Sequence, residues 1–280
     1  FLTHPIFTQT SFGAHHPLSI VRQGAVIELV RALGWIEPDD IEICPLATLD
    51  QLAAFHAPDY LAAFAGAAGA GVASADARAR YNLGSMECPI FPGVWDRARA
   101  TVGGAMRAAE LALAGHVAFH PAGGTHHGRR DRASGFCYFN DPVFAILRLL
   151  DAGLSRVLYV DLDAHHGDGV EDAFAADPRV MTMSIHEAGR WPGTGALEDR
   201  RDGRARNMPV PRGLNDSEFR LLVDNAVVPL GQAFRPQAVV IECGVDALKG
   251  DPLSAMQISN SALWDAVLSC VALAPRAVVL

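Results

Sequence analysis

The chain has 280 residues, of which 50% are hydrophobic and 19% charged, a composition typical of a globular protein with a substantial core. Its formal net charge of −8 disfavours a nucleic-acid-binding surface, which needs clustered Lys and Arg. The five cysteines form no CxxC pair, so neither a disulfide framework nor a thiolate zinc site is predicted. No apolar run reaches the roughly 18 to 20 residues that cross a bilayer, and the N-terminus lacks a signal-peptide pattern, so we expect a cytoplasmic protein without a membrane partner.

The part of the chain before residue 116 predicts several helices and one short strand. The predicted segments are a helix over 17–33, a strand over 41–44, a helix that begins after Thr48 and a helix over 93–114. Thr48 and Gln51 have the spacing of a capping box, in which each side chain bonds to a backbone N–H at the start of the helix. Residues 61–80 are rich in Ala and Gly, and they fit either a frayed helix or a surface excursion.

From residue 116 onward, predicted strands alternate with predicted helices. The strands are 116–120, 156–161, 180–185, 238–243 and 277–280, and a long loop that holds Pro192-Gly193-Thr194-Gly195 is predicted after the strand 180–185. The helices are 141–150, 170–174, 215–234 and 261–273. Asn215 and Glu218 have the spacing of a capping box at the start of the helix 215–234. This alternation predicts an α/β fold of three layers, with a central, mostly parallel sheet covered by helices on both faces. Because no internal repeat and no linker divides the sequence, we expect a single domain over residues 1–280.

Ionisable groups are concentrated where the predicted strand 156–161 ends. Asp161, Asp163 and His165 fall at positions i, i+2 and i+4, and an extended backbone would direct all three side chains to the same face. Two carboxylates beside an imidazole are hard to explain by packing, because unpaired buried charge is costly. A divalent metal ion would resolve the repulsion by turning the carboxylates into ligands. The sequence therefore predicts a metal site in this segment.

Two other predicted strands also lead into ionisable side chains. Strand 116–120 is followed by a glycine loop that carries His126 and His127, and strand 238–243 is followed by Asp246. Ligands of parallel α/β sheets bind at the carboxyl ends of the strands, so we expect one shared site. A single histidine beside a strand is more often structural, but three converging strand ends favour the functional interpretation.

The spacing also suggests how these residues divide the work. A catalytic zinc ion usually takes three protein ligands and keeps a position for water, and Asp163, His165 and Asp246 could supply those three. The same set of two carboxylates and one imidazole also suits Fe²⁺, Mn²⁺ or Co²⁺. His126 and His127 could then transfer protons. Asp161 and Asp168 are the natural carboxylates to orient them, although Asp168 taken alone could equally belong to a plain turn.

The motifs of the chain resemble those of a known family. Beyond the tandem histidines after two glycines, they are Ser134-Gly135-Phe136-Cys137-Tyr138-Phe139-Asn140-Asp141, Asp161-Leu162-Asp163-Ala164-His165-His166-Gly167-Asp168-Gly169, Pro192-Gly193-Thr194-Gly195 and Gly244-Val245-Asp246. In this order they resemble the zinc-dependent histone deacetylase superfamily, and most closely its bacterial acetoin-utilisation-type deacetylases. The similarity spans nearly the whole chain. It implies the three-layer αβα arginase/deacetylase fold and hydrolysis of an acetyl-lysine-type amide.

The resemblance also implies roles for individual residues. It implies zinc on Asp163, His165 and Asp246, the set that the spacing already suggested. It pairs His126 with Asp161 and His127 with Asp168. His127 would be the principal general base and acid for the attack of metal-activated water, and His126 mainly an electrostatic partner. It further implies a structural monovalent cation, usually potassium, at a site formed by Asp161, Asp163, His165, Ser184 and Ile185.

A substrate tunnel is also implied by the resemblance. Phe136 and Trp191 would form its two aromatic walls, with Gly135 at the floor and Leu253 near the rim. Without the resemblance, ordinary core packing would be the simpler interpretation of the two aromatic residues. Glu87 stands where members of the family often carry an Asp that holds the substrate backbone, so it is a further candidate substrate-binding residue.

The family also uses a tyrosine that donates a hydrogen bond to the oxyanion. It lies on a glycine-rich loop directly after the strand that corresponds here to the one ending at Leu280. That loop is not in this sequence, and we expect the sequence to lack residues at the N-terminus and before this C-terminal loop.

Several functions remain compatible with these motifs. The main hypothesis is a metal-dependent deacetylase of acetyl-lysine in proteins. A hydrolase of acetylpolyamines or other small acyl amides would use the same residues on a small acetylated amine. A catalytically silent acyl-lysine- or metal-binding fragment is the alternative outside enzymes. An arginase-like dimanganese ureohydrolase is disfavoured, because the segment Asp161–Gly169 fits the deacetylase pattern better.

Overall fold

The computed structural model describes residues 1–9, 11–12, 16–19 and 21–280. Its strands are β1 (Leu2–Thr3), β2 (Glu42–Ile43), β3 (Val117–Phe119), β4 (Val157–Asp161), β5 (Val180–Glu187), β6 (Ala205–Val210), β7 (Ala238–Glu242) and β8 (Ala277–Val279). Its helices are α1 (Arg22–Ala32), α2 (Leu49–Leu52), α3 (Pro58–Ala70), α4 (Ala75–Tyr81), α5 (Val94–Leu113), α6 (Asp141–Asp151), α7 (Asp168–Phe174), α8 (Asp216–Leu222), α9 (Val228–Phe234) and α10 (Asn260–Val271). Over the described residues, no helix combines the length and the apolar character needed to cross a membrane.

The chain divides into two compact units. The first, which we name the N-terminal unit, comprises Phe1–Ala108 and Phe119–Phe144. The second, which we name the sheet unit, comprises Ala109–Ala118 and Ala145–Leu280. The expectation of a single domain over residues 1–280 stays a prediction.

A six-stranded sheet with the order β3-β8-β7-β4-β5-β6 organises the second half of the chain. β4 pairs in parallel with β5 on one side and with β7 on the other, and the pairs β5–β6 and β7–β8 are also parallel. Every residue of β4 and β7 is buried, which explains why both read as apolar runs without alternation. The predicted parallel sheet is confirmed, and its central strand is the one that leads into Asp163 and His165.

Strand β6 (Ala205–Val210) was missed by the sequence analysis, which placed a long loop there. It contains Arg206 and Pro209, neither of which suggests a strand, and it lies at the end of the strand order. Proline cannot donate to a strand ladder and is therefore tolerated on edge strands. The partner β5 supplies the pairing that the local sequence does not signal.

The helices near the N-terminus also differ from expectation. The first helix begins at Arg22, and Pro17–Ser19 forms only a short 3-10 turn. Residues 61–80 belong to two regular helices, α3 and α4, joined by a short turn over residues 71–74, rather than to a frayed helix or a surface excursion. Gly71, in a left-handed conformation with φ of 70°, ends α3, and the Ser74 side chain caps α4 by accepting from the N–H of Ala77. The capping boxes at Thr48 and Asn215 are confirmed.

An aromatic core stabilises the N-terminal unit. Tyr60 and Phe64 on α3 pack against Tyr138 and Phe139, and the Phe64 and Tyr138 rings are stacked with centroids 5.0 Å apart. The Tyr60 hydroxyl donates to the Tyr138 carbonyl. Burying these large side chains contributes strongly to stability because each removes a large apolar area from water. The core therefore fixes the segment that carries Gly135 and Phe136.

Candidate metal centre and neighbouring site residues

Strand β4 ends at Asp161, so Asp163 and His165 lie in the bends that follow it. The expected extended run with three side chains on one face is therefore wrong. The Asp161 carboxylate accepts from the Tyr159 hydroxyl at 2.6 Å and from the N–H of Asp163 at 3.2 Å. The second bond turns the chain out of the strand, because it satisfies a backbone donor that the ladder would otherwise use.

Asp163, His165 and Asp246 nevertheless meet in the sheet unit. Their potential ligand atoms all lie within 4.8 Å of one another. His165 Nδ1 is 3.0 Å from Asp163 Oδ1 and 2.7 Å from Asp246 Oδ2. Asp246 comes from a short turn after β7, and its Oδ1 accepts the N–H of Ala164 at 2.9 Å. Two carboxylates and an imidazole converging on one point form a set that could hold a divalent metal ion.

The surroundings of this cluster fit a metal ion. A Cβ added at Gly244 would lie 2.0 Å from Asp163 Oδ2, so only glycine leaves room for that carboxylate. Burial alone would lower the pKa of His165, but its hydrogen bonds to Asp163 and Asp246 and the charges of both raise it to about 10. The cluster thus favours positive charge between its two carboxylates, which is the electrostatic requirement of a metal site.

Glu242, the last residue of β7, was overlooked in the sequence analysis. It lies opposite Asp161 in the β4–β7 register and is buried, with Oε2 accepting the N–H of Gly244 at 3.0 Å. Burial, followed by the charges of Asp163 and Asp161, raises the pKa of Glu242 well above its usual value. A Glu inside the apolar run 238–243 was the signal that could have identified it.

The tandem histidines lie in the N-terminal unit, on the loop after β3. Both are buried, and their ring centroids are 3.9 Å apart. The Asn140 side-chain amide donates to the carbonyl of His126 at 3.0 Å. Asp141 accepts the N–H of Thr125 at 2.7 Å and also its hydroxyl. Asn140 and Asp141, which the sequence analysis named only as part of a motif, therefore hold the backbone of this loop.

Three further predicted site residues, Ser184, Ile185 and Asp168, lie in the sheet unit. Ser184 is opposite Asp161 in the β4–β5 register, and its Oγ is 2.8 Å from His186 Nδ1. Ile185 follows it on β5 and is fully buried. Asp168 is buried as the first residue of α7. The monovalent-cation site and the pairing of Asp168 stay predictions.

Comparison with known proteins identifies the family. Residues 16–280 match the model described as the histone deacetylase domain. The chain belongs to the histone deacetylase family. It is 37% identical over 246 residues to histone deacetylase 8 of Xenopus tropicalis, covering 85% of this chain and 66% of that protein. It is 36% identical over 263 residues to the acetoin utilization protein AcuC of Bacillus subtilis, covering 91% and 67% respectively.

Solved structures of the family agree with this assignment. A histone deacetylase homologue from Aquifex aeolicus matches with a TM-score of 0.94 and 31% identity, covering 99% of this chain and 77% of that one. A homologue complexed with SAHA matches with a TM-score of 0.92 and 32% identity, covering 96% and 75%. These matches confirm the predicted three-layer αβα arginase/deacetylase fold. The chain spans between 49% and 68% of the length of the curated relatives.

The residues expected to form the tunnel occupy different units. Trp191, in the sheet unit, is 46% exposed, and its ring centroid is 6.4 Å from that of His165. This exposure argues against core packing for Trp191. The carbonyl of Leu253 accepts from Arg190 Nη1 at 2.7 Å. Phe136, in the N-terminal unit, is partly buried and has a left-handed backbone with φ of 67°.

A second acid–imidazole cluster in the sheet unit escaped the sequence analysis. His166 Nδ1 lies 2.8 Å from Thr194 Oγ1, and His166 Nε2 lies 3.1 Å from Glu171 Oε2. Glu171 also accepts from Arg201 Nε at 3.0 Å and from Asn207 Nδ2 at 2.8 Å. Burial raises the pKa of Glu171, but hydrogen bonds from His166 and Asn207 outweigh it and hold the pKa below its usual value. This cluster ties α7 to the loop after Trp191.

Proposed function

We propose that the protein is a metal-dependent amidohydrolase that removes acetyl groups from acetyl-lysine side chains of proteins. The observation that carries this proposal is the convergence of Asp163, His165 and Asp246, whose ligand atoms lie within 4.8 Å of one another. Membership in the histone deacetylase family supports hydrolysis of an acyl amide. Strand ends of a parallel α/β sheet are also where such folds bind their ligands.

Asp163, His165 and Asp246 would hold a zinc ion, and Fe²⁺, Mn²⁺ or Co²⁺ suit the same donors. When bound, the metal ion would supply Lewis acidity toward the amide carbonyl and lower the pKa of water. Ala164 contributes by holding Asp246 through its N–H at 2.9 Å. Gly244 contributes by leaving space for the Asp163 carboxylate.

His126 and His127 would carry out the proton transfers. An imidazole nitrogen of His127 would take a proton from the attacking water and then donate it to the amine nitrogen of the leaving lysine. His126 stabilises the developing charge. Asp161 would orient His126 and Asp168 would orient His127, because an imidazole needs a partner that fixes its tautomer. General acid–base catalysis of this kind typically contributes about 100- to 10,000-fold.

The aromatic residues would guide the substrate. Phe136 and Trp191 are each proposed to contact the acyl-lysine chain, with Gly135 at the floor and Leu253 at the rim. The exposed ring of Trp191 supports this role, because a 46% exposed tryptophan offers a flat apolar surface to a ligand. A potassium ion at Asp161, Asp163, His165, Ser184 and Ile185 would have a structural role.

The test uses the purified full-length protein. Metal content is measured as isolated and after chelation and reloading with Zn²⁺, Fe²⁺, Mn²⁺ or Co²⁺. Acetate release is then followed from an acetyl-lysine peptide and from acetylspermidine. We expect one metal ion per chain and preference for the peptide, with activity lost in His127→Ala.

Other outcomes would assign a different function. Clear preference for acetylspermidine would indicate a small-amide hydrolase. Metal uptake without acetate release would indicate a silent binding module, and two manganese ions per chain would indicate a ureohydrolase-like centre.

A further inference from the structure

Glu87 uses both carboxylate oxygens within the N-terminal unit. Oε1 accepts the N–H of Gly135 at 2.6 Å, and Oε2 accepts from Asn82 Nδ2 at 2.5 Å. Asn82 ends α4 in a left-handed conformation with φ of 59°, and its amide also donates to the carbonyl of Ala133 at 3.2 Å. Hydrogen bonds to an ionised carboxylate are short and strong. Glu87 thus links the end of α4 to the segment that begins at Ala133.

That segment contains a tight turn with an unusual residue at its tip. Ser134 and Cys137 exchange backbone hydrogen bonds of 3.0 and 2.9 Å, and the two central residues are Gly135 and Phe136, with φ of 56° and 67°. Two consecutive positive φ values are typical of a type I′ turn, which favours Asn or Gly at both positions. A phenylalanine there is disfavoured by sterics, so contacts from the surroundings must maintain the conformation.

Glu87 is placed to provide this support. The N–H of Gly135 takes no part in the two backbone hydrogen bonds between Ser134 and Cys137. It donates instead to the carboxylate of Glu87. The backbone carbonyl of Glu87 is also connected to Phe136, through the side chain of His16. The Glu87 carbonyl lies 3.4 Å from His16 Nε2, and the His16 ring packs edge-on against the Phe136 ring, with centroids 4.6 Å apart.

We propose that Glu87 is a positioning residue that fixes the Gly135–Phe136 turn, and with it the orientation of the Phe136 ring. This rests on the proposed function, in which Phe136 contacts the acyl-lysine chain. It differs from the expected role in which Glu87 holds the backbone of a peptide substrate. Because Glu87 would act through Phe136, its replacement should affect every acyl substrate, with or without a peptide backbone.

The kinetic test compares two substrates in the full-length protein. One is an acetyl-lysine peptide and the other is 1-acetamidopentane, which has the acetylated chain but no backbone amides. Glu87→Gln removes the negative charge. It also places an amide group, in place of a carboxylate oxygen, opposite the donating amide of Asn82. We expect kcat/KM to fall about tenfold for both substrates, because small misplacements of a contact wall reduce rates strongly. A loss confined to the peptide would overturn the proposal.

Two variants serve as controls. Asp59→Asn removes another carboxylate of the same unit, one that accepts from the Tyr81 hydroxyl on α4, and should leave both substrates unaffected. In Glu87→Gln/Asn82→Asp the donor and acceptor of the Glu87–Asn82 bond are exchanged, with loss of the bond from Asn82 to the Ala133 carbonyl, and any recovery of kcat/KM relative to Glu87→Gln should appear for both substrates. Recovery confined to the peptide would count against the positioning role.

A second measurement does not depend on hydrolysis. Amide hydrogen exchange at Gly135 is compared among the parent protein, Asp59→Asn and Glu87→Met, which retains the side-chain length but has no acceptor. We expect faster exchange in Glu87→Met alone. If Glu87→Met does not fold, Glu87→Gln provides the same comparison with a smaller expected increase. Unchanged exchange would overturn the proposal even where deacetylation is confirmed, whereas failure of the parent protein to hydrolyse any acyl amide would overturn only the proposed function.

Discussion

Two neighbouring histidines of the sheet unit belong to clusters that differ in composition and exposure. His165 shares one ring nitrogen between Asp163 and Asp246, and the side chains of this cluster are 13–14% exposed. His166 contacts a single carboxylate, Glu171, and these two side chains are only 3–4% exposed. A cluster with more carboxylates than cationic groups, partly exposed to solvent, suits a metal ion. A buried carboxylate that accepts several hydrogen bonds suits a structural role.

The groups around the two clusters explain why only the cluster around His165 suits a metal ion. Glu171 receives hydrogen bonds from Arg201 and Asn207 in addition to His166, so its negative charge is matched within the fold. In the other cluster, Glu242 adds a further carboxyl close to Asp163, and the charge of Asp163 contributes to the raised pKa of Glu242. A divalent cation would reduce the repulsion among the carboxylates around His165. It would not stabilise the cluster around His166, where the carboxylate already has its donors.

Removing a carboxylate or the imidazole from the His165 cluster should have the largest effect on function. We expect Asp163→Ala, His165→Ala and Asp246→Ala each to lose metal affinity and acetate release by more than about 100-fold, because even loss of a residue that only orients a ligand costs roughly 10- to 100-fold. Elemental analysis and the acetate assay would measure both. Full metal occupancy in all three variants would contradict this assignment.

Removing the carboxylate of the His166 cluster should instead reduce stability. Glu171→Ala leaves buried polar groups without their partner, so we expect the free energy of unfolding to fall by about 3 kcal/mol while metal content per folded chain is unchanged. Asp172→Ala is the matched control, since Asp172 contacts the same Arg201 but is 47% exposed. Its loss should cost less than about 1 kcal/mol. Urea titrations that show equal costs would remove the distinction between the clusters.

Two glycines allow each cluster to be disturbed without changing its polar groups. A Cβ at Gly244 would lie 2.0 Å from Asp163 Oδ2, and a Cβ at Gly195 would lie 2.6 Å from His186 Nε2 and 2.7 Å from His166 Cδ2. We expect Gly244→Ala to weaken metal binding by about 10- to 100-fold. Gly195→Ala should lower the free energy of unfolding by about 1 to 3 kcal/mol, with metal retained. The reverse pattern would show that the clusters had been assigned the wrong roles.

The smallest expected effect is the contribution of Glu171 to the pH dependence of stability. The pKa of Glu171 is lowered in the folded protein, so this residue stabilises the fold above the ordinary value of 4.5, and the contribution is lost as the pH falls through the lower folded-state pKa. We expect the stability of the parent protein to decline more steeply on acidification below pH 4.5 than that of Glu171→Gln. Identical slopes in urea titrations across this range would show that Glu171 does not contribute.

Local sequence signals predicted much of the fold. The apolar runs of β4 and β7 identified buried strands, and the capping boxes at Thr48 and Asn215 identified the starts of helices. These features are local, since they depend on residues within one element. β6 carries no such signal, because its pairing with β5 stabilises a segment that contains arginine and proline.

By itself, the sequence determined the α/β class, the membership in the histone deacetylase family and the identity of Asp163, His165 and Asp246 as candidate ligands. Only the tertiary structure decided that β4 stops at Asp161, that Glu242 lies opposite it, and that His166 belongs to a separate buried cluster. It also showed that the Glu87 carboxylate accepts the N–H of Gly135. The physical reason is that motifs specify residue types over short distances, whereas strand register and hydrogen bonds between distant segments depend on how those segments pack.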